Sequence, residues 1–134
     1  MQLGKTGPVV SDVGFGAWAI GGVQYGTVTE ADAVETLETY FAQGGNLIDT
    51  ARGYHESERI IGEVTTRLGN RDDIVIASKT KQLTAEGIRE ELETSLRLLN
   101  RDYIDLYYLH APPGSPDDMN RILDVFSELK NAGK

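Results

Sequence analysis

Cysteine is absent from this sequence, aromatic residues are few and no apolar run is long, and each shortage excludes a class of protein. Without cysteine there is no disulfide and no thiolate ligand for a metal. A membrane-spanning helix needs about 20 consecutive apolar residues, and no run approaches that length. The opening segment "MQLGKTGPVV" shows no signal-peptide pattern, so we expect a cytoplasmic protein with no membrane partner.

Basic residues are also scarce. The chain has 13 Lys and Arg against 21 Asp and Glu, which gives a formal net charge of -8. A nucleic-acid partner is not expected, because binding nucleic acid requires a clustered basic face. No metal site is expected either, since the two histidines, His55 and His110, lie on different predicted elements.

Four apolar runs alternate with segments of helical spacing. The runs "VGFGAW", "NLID", "IVIAS" and "IDLYYL" begin at Val13, Asn46, Ile74 and Ile104. They start about 30 residues apart, which is the length of a strand, a helix and their turns. Continuous apolar runs are typical of parallel strands that are covered on both faces. No linker interrupts the 134 residues, so we expect a single domain over the whole chain.

The helical segments carry start and stop signals. Thr29 and Asp32 form a capping box before the first helix, and Ser115 followed by Pro116 marks the start of the fourth. The predicted buried faces are Val34, Leu37 and Phe41; Ile60, Val64 and Leu68; Ile88, Leu92, Leu96 and Leu99; and Ile122, Val125, Phe126 and Leu129. The pattern predicts an α/β protein of four parallel βα units that follow an N-terminal β-hairpin.

Polar residues follow three of the predicted strands. Asp49, Lys79 and His110 end the second, third and fourth runs, and Tyr54 lies in the loop after Asp49. The carboxyl ends of parallel strands meet at one rim, so these residues should lie together. Each also has a structural interpretation: a salt bridge for Asp49 and Lys79, a hydrogen-bonded histidine and a packed tyrosine. Their common position at one edge favours a site.

The four residue types suit the reduction of a carbonyl group. A phenol has a pKa of about 10 and is a poor proton donor at neutral pH. A neighbouring ammonium stabilises the phenolate, and a carboxylate holds that ammonium in place. Tyr54, Lys79 and Asp49 could therefore protonate a developing alkoxide, while His110 orients the carbonyl.

The run "GFGAWA" also matches the G-x-G-x-x-A fingerprint of dinucleotide-binding folds. That fingerprint requires a helix directly after the glycines, and here the next helix is expected only near Glu30. We interpret the glycines instead as points where the backbone passes close to another segment or a ligand.

Several segments resemble the N-terminal half of the aldo-keto reductases. They are "GFGAWAIGG", "NLIDTARGY", "SERIIGE", "IVIASKT", "ELETSLRLLNRDYIDLYYLHAP" and "AGK", in the order and spacing of the family. The resemblance implies a (β/α)8 TIM barrel that reduces aldehydes or ketones with a nicotinamide cofactor, usually NADPH. The catalytic tetrad that it implies is Asp49, Tyr54, Lys79 and His110, with Tyr54 as the acid. The cofactor contacts that it implies are Ala17, Trp18 and Asp49.

The chain is much shorter than a complete barrel, which needs about 250 residues. By resemblance, the other half would supply the contacts to the carboxamide, the pyrophosphate and the 2′-phosphate of the cofactor. Four βα units leave two open strand edges. We therefore expect half of a (β/α)8 barrel that a symmetric homodimer completes.

Three functions are open from the sequence. The first is NAD(P)H-dependent reduction of a small aldehyde or ketone, with NADP as the expected cofactor. The second is an inactive half-barrel that keeps the tetrad and either self-associates or binds a small molecule. The third is a fragment with no activity of its own.

Overall fold

The computed structural model describes residues 1–22, 26–69 and 71–134, which form four parallel βα units. The strands are β1 (Phe15–Gly16), β2 (Leu47–Asp49), β3 (Val75–Thr80) and β4 (Leu106–Leu109), paired in chain order. The helices are α1 (Glu30–Ala42), α2 (Ser57–Leu68), α3 (Ala85–Leu99) and α4 (Pro116–Asn131). The predicted α/β architecture of alternating strands and helices is confirmed.

The predicted capping signals fix the helix ends. The side chain of Thr29 accepts from the Asp32 N–H at 3.2 Å, and the Asp32 carboxylate accepts from the Thr29 N–H at 3.1 Å. Ser115 accepts from the Asp118 N–H at 3.2 Å at the start of α4. Helix α2 ends at Gly69, whose φ of +70° is the left-handed conformation that glycine adopts without strain.

The core lies between the sheet and the first three helices. Its largest fully buried apolar side chains include Leu37, Ile48, Ile61, Ile76, Leu92 and Leu99. The prediction that Leu68 is buried is wrong, because this residue is 43% exposed. It occupies the last helical position of α2, where Gly69 already turns the chain away from the packed face.

The first segment of the chain has less regular structure than the sequence predicts. The N-terminal hairpin consists of one antiparallel bridge between Gln2 and Val9. After β1 the chain enters a short 3-10 turn, Ala19–Gly21, and the next α-helix begins at Glu30. The short turn agrees with the expectation that "GFGAWA" does not open a dinucleotide-binding helix.

Strand β3 presents different residues to the two faces of the sheet. Ser78 donates to Glu58 in α2 at 2.7 Å, and Thr80 donates to Glu91 in α3 at 2.5 Å. Lys79 lies between them in sequence and therefore extends from the opposite face. That face, away from the helices, carries the polar residues that the sequence analysis singled out.

Candidate active site

Lys79 and Asp49 form an ion pair at the carboxyl ends of β3 and β2. The Lys79 Nζ lies 2.5 Å from Oδ1 of Asp49 and also donates to the Thr50 carbonyl oxygen at 2.9 Å. The strand register places Asp49 beside Ala77, and Lys79 lies two residues further along on the same face. The Lys79 side chain is 17% exposed and that of Asp49 is 51% exposed. The Lys79 ammonium is therefore fixed, while the Asp49 carboxylate is exposed on the face of the sheet away from the helices.

The ring of Tyr54 lies beside this ammonium. Lys79 Nζ is 5.2 Å from the ring centroid, a distance at which a cation is attracted to an aromatic face. The hydrogen bonds of Lys79 go to Asp49 and Thr50, so its contact with Tyr54 is through the ring. The Tyr54 N–H donates to the Ala51 carbonyl at 2.9 Å, which closes the loop after β2.

The backbone at Tyr54 is packed against Gly21. A Cβ at Gly21 would lie 2.2 Å from the Tyr54 carbonyl oxygen, so only glycine fits there. The two glycines of "GFGAWA" behave differently: a Cβ at Gly14 would be 3.3 Å from Leu47, and one at Gly16 would meet nothing within 4 Å. The close backbone approach that we expected at the glycines of "GFGAWA" is therefore tightest at Gly21, further along the chain.

A buried polar network holds the loop that carries Tyr54. The carboxylate of Glu58 is fully buried and forms an ion pair with Arg52. The second terminal nitrogen of Arg52 donates to the His55 carbonyl at 3.2 Å. His55 has φ of +49°, in the left-handed region, so this bond stabilises an unfavourable turn.

His110 directly follows β4 and lies beside Tyr54. Its ring meets the Tyr54 ring edge-on, with centroids 5.5 Å apart and an interplanar angle of 83°. The backbone N–H of His110 donates to the Thr80 carbonyl at 2.8 Å, which continues the strand pairing beyond β4. Burial lowers the pKa of His110 below its ordinary value, and the Lys81 and Lys79 ammonium groups lower it further, against the opposing effect of Asp49.

The lowered pKa favours the neutral imidazole. It has one N–H donor and one acceptor nitrogen, and only the donor can bind a carbonyl oxygen. The Nδ1 atom of His110 is buried without a hydrogen-bond partner among the described residues.

Two of the three predicted cofactor contacts are accessible. Trp18 is 42% exposed, and its ring centroid lies 6.3 Å from that of Tyr54. The Asp49 carboxylate is open on the same face. Ala17 is fully buried, and its N–H donates to the Asp49 carbonyl at 2.8 Å. The Trp18 and Asp49 side chains are therefore accessible to a ligand, whereas the Ala17 side chain packs in the core.

Four nearby residues were missed by sequence reasoning: Arg52, His55, Glu58 and Lys81. Lys81 follows Lys79 by two residues, so the period of a strand places both on one face, and this signal was available. Nothing in the sequence distinguishes the buried Glu58 from the many acids on exposed helix surfaces.

In the described part of the chain, no group of three or more histidine, aspartate or glutamate residues is arranged to hold a metal ion. Within the same ranges, no helix is long and apolar enough to cross a membrane.

Sequential parallel βα units with polar residues at the carboxyl rim are typical of a (β/α)8 enzyme barrel. Residues 12–134 match the profile of the Aldo/keto reductase family, and the chain belongs to that family.

Similar proteins include complete enzymes of about twice this length. The chain is 38% identical to aldo-keto reductase YhdN of Bacillus subtilis, covering 99% of this chain and 44% of that protein. It is 34% identical to the NADH-specific methylglyoxal reductase of Escherichia coli, covering 100% of this chain and 49% of that protein. An aldo-keto reductase from Klebsiella pneumoniae, solved in complex with NADPH, superposes with a TM-score of 0.79 at 29% identity, covering 93% of this chain and 43% of that one. The chain thus corresponds to part of a barrel.

Proposed function

We propose that this chain carries the proton-donating side of a nicotinamide-dependent carbonyl reductase. The proposed substrate is a small aldehyde or ketone, and the proposed compartment is the cytoplasm. The observation that carries the proposal is the Lys79 ammonium, held by Asp49 and placed beside the ring of Tyr54. An isolated structural salt bridge would not require a phenol and an imidazole on the same side.

The proton moves from Tyr54 in the proposed mechanism. As the substrate carbonyl gains electron density, the Tyr54 hydroxyl donates its proton to the developing alkoxide. The Lys79 ammonium stabilises the phenolate that remains, and Asp49 keeps the ammonium in position. The neutral His110 donates a hydrogen bond to the same oxygen and orients the carbonyl. A bound nicotinamide cofactor would supply the hydride.

NADP is the proposed cofactor, with Ala17, Trp18 and Asp49 as the proposed contacts of this chain. The Trp18 and Asp49 side chains are open on the face that carries Tyr54, and Ala17 directly precedes Trp18. The Klebsiella relative binds NADPH, whereas the Escherichia coli relative is named for NADH, so both cofactors belong in the test. Further cofactor contacts would come from chain segments outside these four units or from a second copy.

We also propose that the 134-residue chain forms a homodimer. In the described sheet, β1 and β4 are the edge strands, and exposed parallel edges are unfavourable. A groove of about 550 Å³ runs along β4 and α4 and is lined by apolar side chains that include Leu106, Phe126 and Leu129. A second copy would cover this groove and pair with the edge. Light scattering at micromolar concentration should give twice 14.7 kDa, and a single monomeric species would reject the dimer.

The decisive experiment replaces the proposed acid. Tyr54→Phe should abolish NADPH-dependent reduction of an aldehyde, while cofactor binding, followed by the fluorescence of Trp18, the only tryptophan, stays intact. Tyr103→Phe is the matched control, because this exposed tyrosine lines the groove beside β4 and not the pocket beside Tyr54 and His110. Equal rates for Tyr54→Phe and the parent would reject the assigned acid. Quenching without any reduction by the parent would favour the inactive, ligand-binding half-barrel.

A further inference from the structure

A pocket of about 310 Å³ lies beside Tyr54 and His110, and its lining is positively charged although the chain as a whole is acidic. Its lining residues are Trp18, Gly53, Tyr54, His55, Lys81 and His110. None of them is acidic, although the whole chain has a net charge of -8. The two aromatic rings form an apolar part, and Lys81 contributes a permanent positive charge. Such a pocket favours a ligand with both a flat apolar body and an anionic group.

The Lys81 side chain lies across Gly53 at the mouth of this pocket. A Cβ added to Gly53 would be 3.2 Å from Cε and 3.3 Å from Nζ of Lys81. Other lysines near carboxylates are paired: Lys79 with Asp49 at 2.5 Å and Lys134 with Glu93 at 3.0 Å. Within residues 1–22, 26–69 and 71–134, no carboxylate forms an ion pair with Lys81. Its ammonium is therefore available to a ligand.

The backbone of Lys81 is anchored by Glu91 of α3. One carboxylate oxygen of Glu91 accepts from the Lys81 N–H at 3.3 Å, and the other accepts from Nε2 of Gln82 at 3.1 Å. The Gln82 N–H donates in turn to Oγ1 of Thr80 at 3.0 Å. These bonds fix the backbone at Lys81 and at the next residue, so the Lys81 side chain extends from a defined point just after β3. An unanchored surface lysine would lose more conformational entropy on binding an anion.

We infer that the pocket selects carbonyl compounds that carry a carboxylate or phosphate group, and that Lys81 binds this group while the carbonyl faces Tyr54 and His110. The inference rests on the reductase function proposed above and adds the substrate class. Lysine binds such anions as a point charge, so the distance from the carbonyl to the anion is less restricted than with arginine. The field of the ammonium would also draw anionic substrates to the mouth of an otherwise acidic protein.

Binding is tested with two probes that differ in one charge, 4-carboxybenzaldehyde and its neutral methyl ester, methyl 4-formylbenzoate. Trp18 gives a single indole N–H signal in a ¹⁵N-labelled protein and lines the pocket, so titrations report binding there. The parent should bind the acid about tenfold more tightly than the ester, and Lys81→Gln should remove this preference. Lys81→Arg should retain it, and 0.5 M salt should weaken it. Lys5→Gln, a lysine on the N-terminal hairpin, controls for the change in net charge.

Turnover of the same two aldehydes separates the inference from the proposed function. With the reductase assignment correct, Lys81→Gln should lower kcat/KM about tenfold for the acid, mainly through KM, and leave the ester unchanged. Phosphate-bearing aldehydes replace the carboxylate probe in a parallel series and show which anion is preferred. If neither aldehyde is reduced but binding of the acid still depends on Lys81, the reductase proposal fails and the anion site stands.

Two results would overturn the inference. One is equal affinity of the parent for the acid and the ester. The other is a Lys81→Gln variant that keeps the parental preference for the acid, or that loses affinity for both probes to the same extent.

Discussion

Arg52 and Glu58 form an ion pair that joins the Tyr54 loop to the core of the protein. The Glu58 carboxylate is completely buried between α2 and β3, where Ser78 donates to its second oxygen at 2.7 Å. Arg52 reaches it from the loop and also holds the His55 carbonyl. The position of Tyr54 therefore depends on a charge pair inside the fold as well as on Lys79 at the rim.

Replacing Glu58 should destabilise the protein strongly. Glu58→Gln leaves the Arg52 guanidinium without its counter-charge in a mostly buried place, which typically costs about 3 kcal/mol. Urea unfolding measures the change. Glu63→Gln is the matched control, because Glu63 pairs with Arg59 at 2.9 Å on the surface and should contribute less than about 1 kcal/mol. Similar losses for the two variants would contradict the structural role of the Arg52–Glu58 pair.

Adding a methyl group at Gly21 should displace the Tyr54 loop. The new Cβ would lie 2.2 Å from the Tyr54 carbonyl oxygen, which is backbone and cannot rotate away. We expect Gly21→Ala to lower the free energy of unfolding by about 2 kcal/mol, as overpacking commonly does. At Gly114 a Cβ would meet nothing within 4 Å, so Gly114→Ala should stay within about 0.5 kcal/mol of the parent. Thermal unfolding of both variants decides the matter, and an unaffected Gly21→Ala would contradict the close approach.

The lowered pKa of His110 predicts a pH dependence of stability. Below its ordinary pKa of 6.5 the unfolded chain takes up a proton more readily than the folded chain does. The contribution of neutral His110 is therefore complete above about pH 6.5 and is lost as the pH falls through the folded-state pKa.

Urea unfolding of the parent and of His110→Gln between pH 5 and 7.5 tests this dependence. The free energy of unfolding should fall more steeply toward pH 5 in the parent than in the variant. His55→Gln, at the other histidine, controls for the loss of an imidazole as such. Parallel curves for the parent and His110→Gln would show that burial and the two lysines do not disfavour the charged ring.

A charge placed in the groove beside β4 should disrupt the proposed homodimer. Tyr108 lines this groove and is 44% exposed, so Tyr108→Glu should yield a folded monomer. Leu123→Glu is the control, because Leu123 is 54% exposed on α4 and lies outside the groove. Light scattering gives the mass and circular dichroism verifies the fold. A Tyr108→Glu variant that remains a dimer would mean that the two copies associate through another surface.

Much of the fold could be predicted because local signals and the global arrangement agree. The capping box of Thr29 and Asp32 and the Ser115–Pro116 start place α1 and α4, and apolar spacing places α3. The exposure of Leu68 was not predictable in this way, because periodicity does not show where a helix passes the edge of its neighbours. The length of the first strand was also overestimated, since β1 pairs over only Phe15–Gly16.

The candidate site was predictable where residues sit at a strand end or in the loop that follows one. Topology brings Asp49, Lys79 and His110 to one rim, and in the structure the Tyr54 ring lies near both Lys79 and His110. The support beneath the site was not predictable, because Arg52 and Glu58 meet through the path of a loop. No sequence pattern specifies that a given carboxylate turns inward.

The alternation of β3 has a consequence for how this chain can evolve. Ser78 and Thr80 anchor helices, while Lys79 between them belongs to the proposed chemistry. A single-residue insertion in the middle of Val75–Thr80 would exchange these roles, so that the hydroxyls face the proposed site and the ammonium faces the helices that carry Glu58 and Glu91. We therefore expect lineages of this protein to gain and lose residues freely in the connecting loops, and to alter this strand by substitution alone.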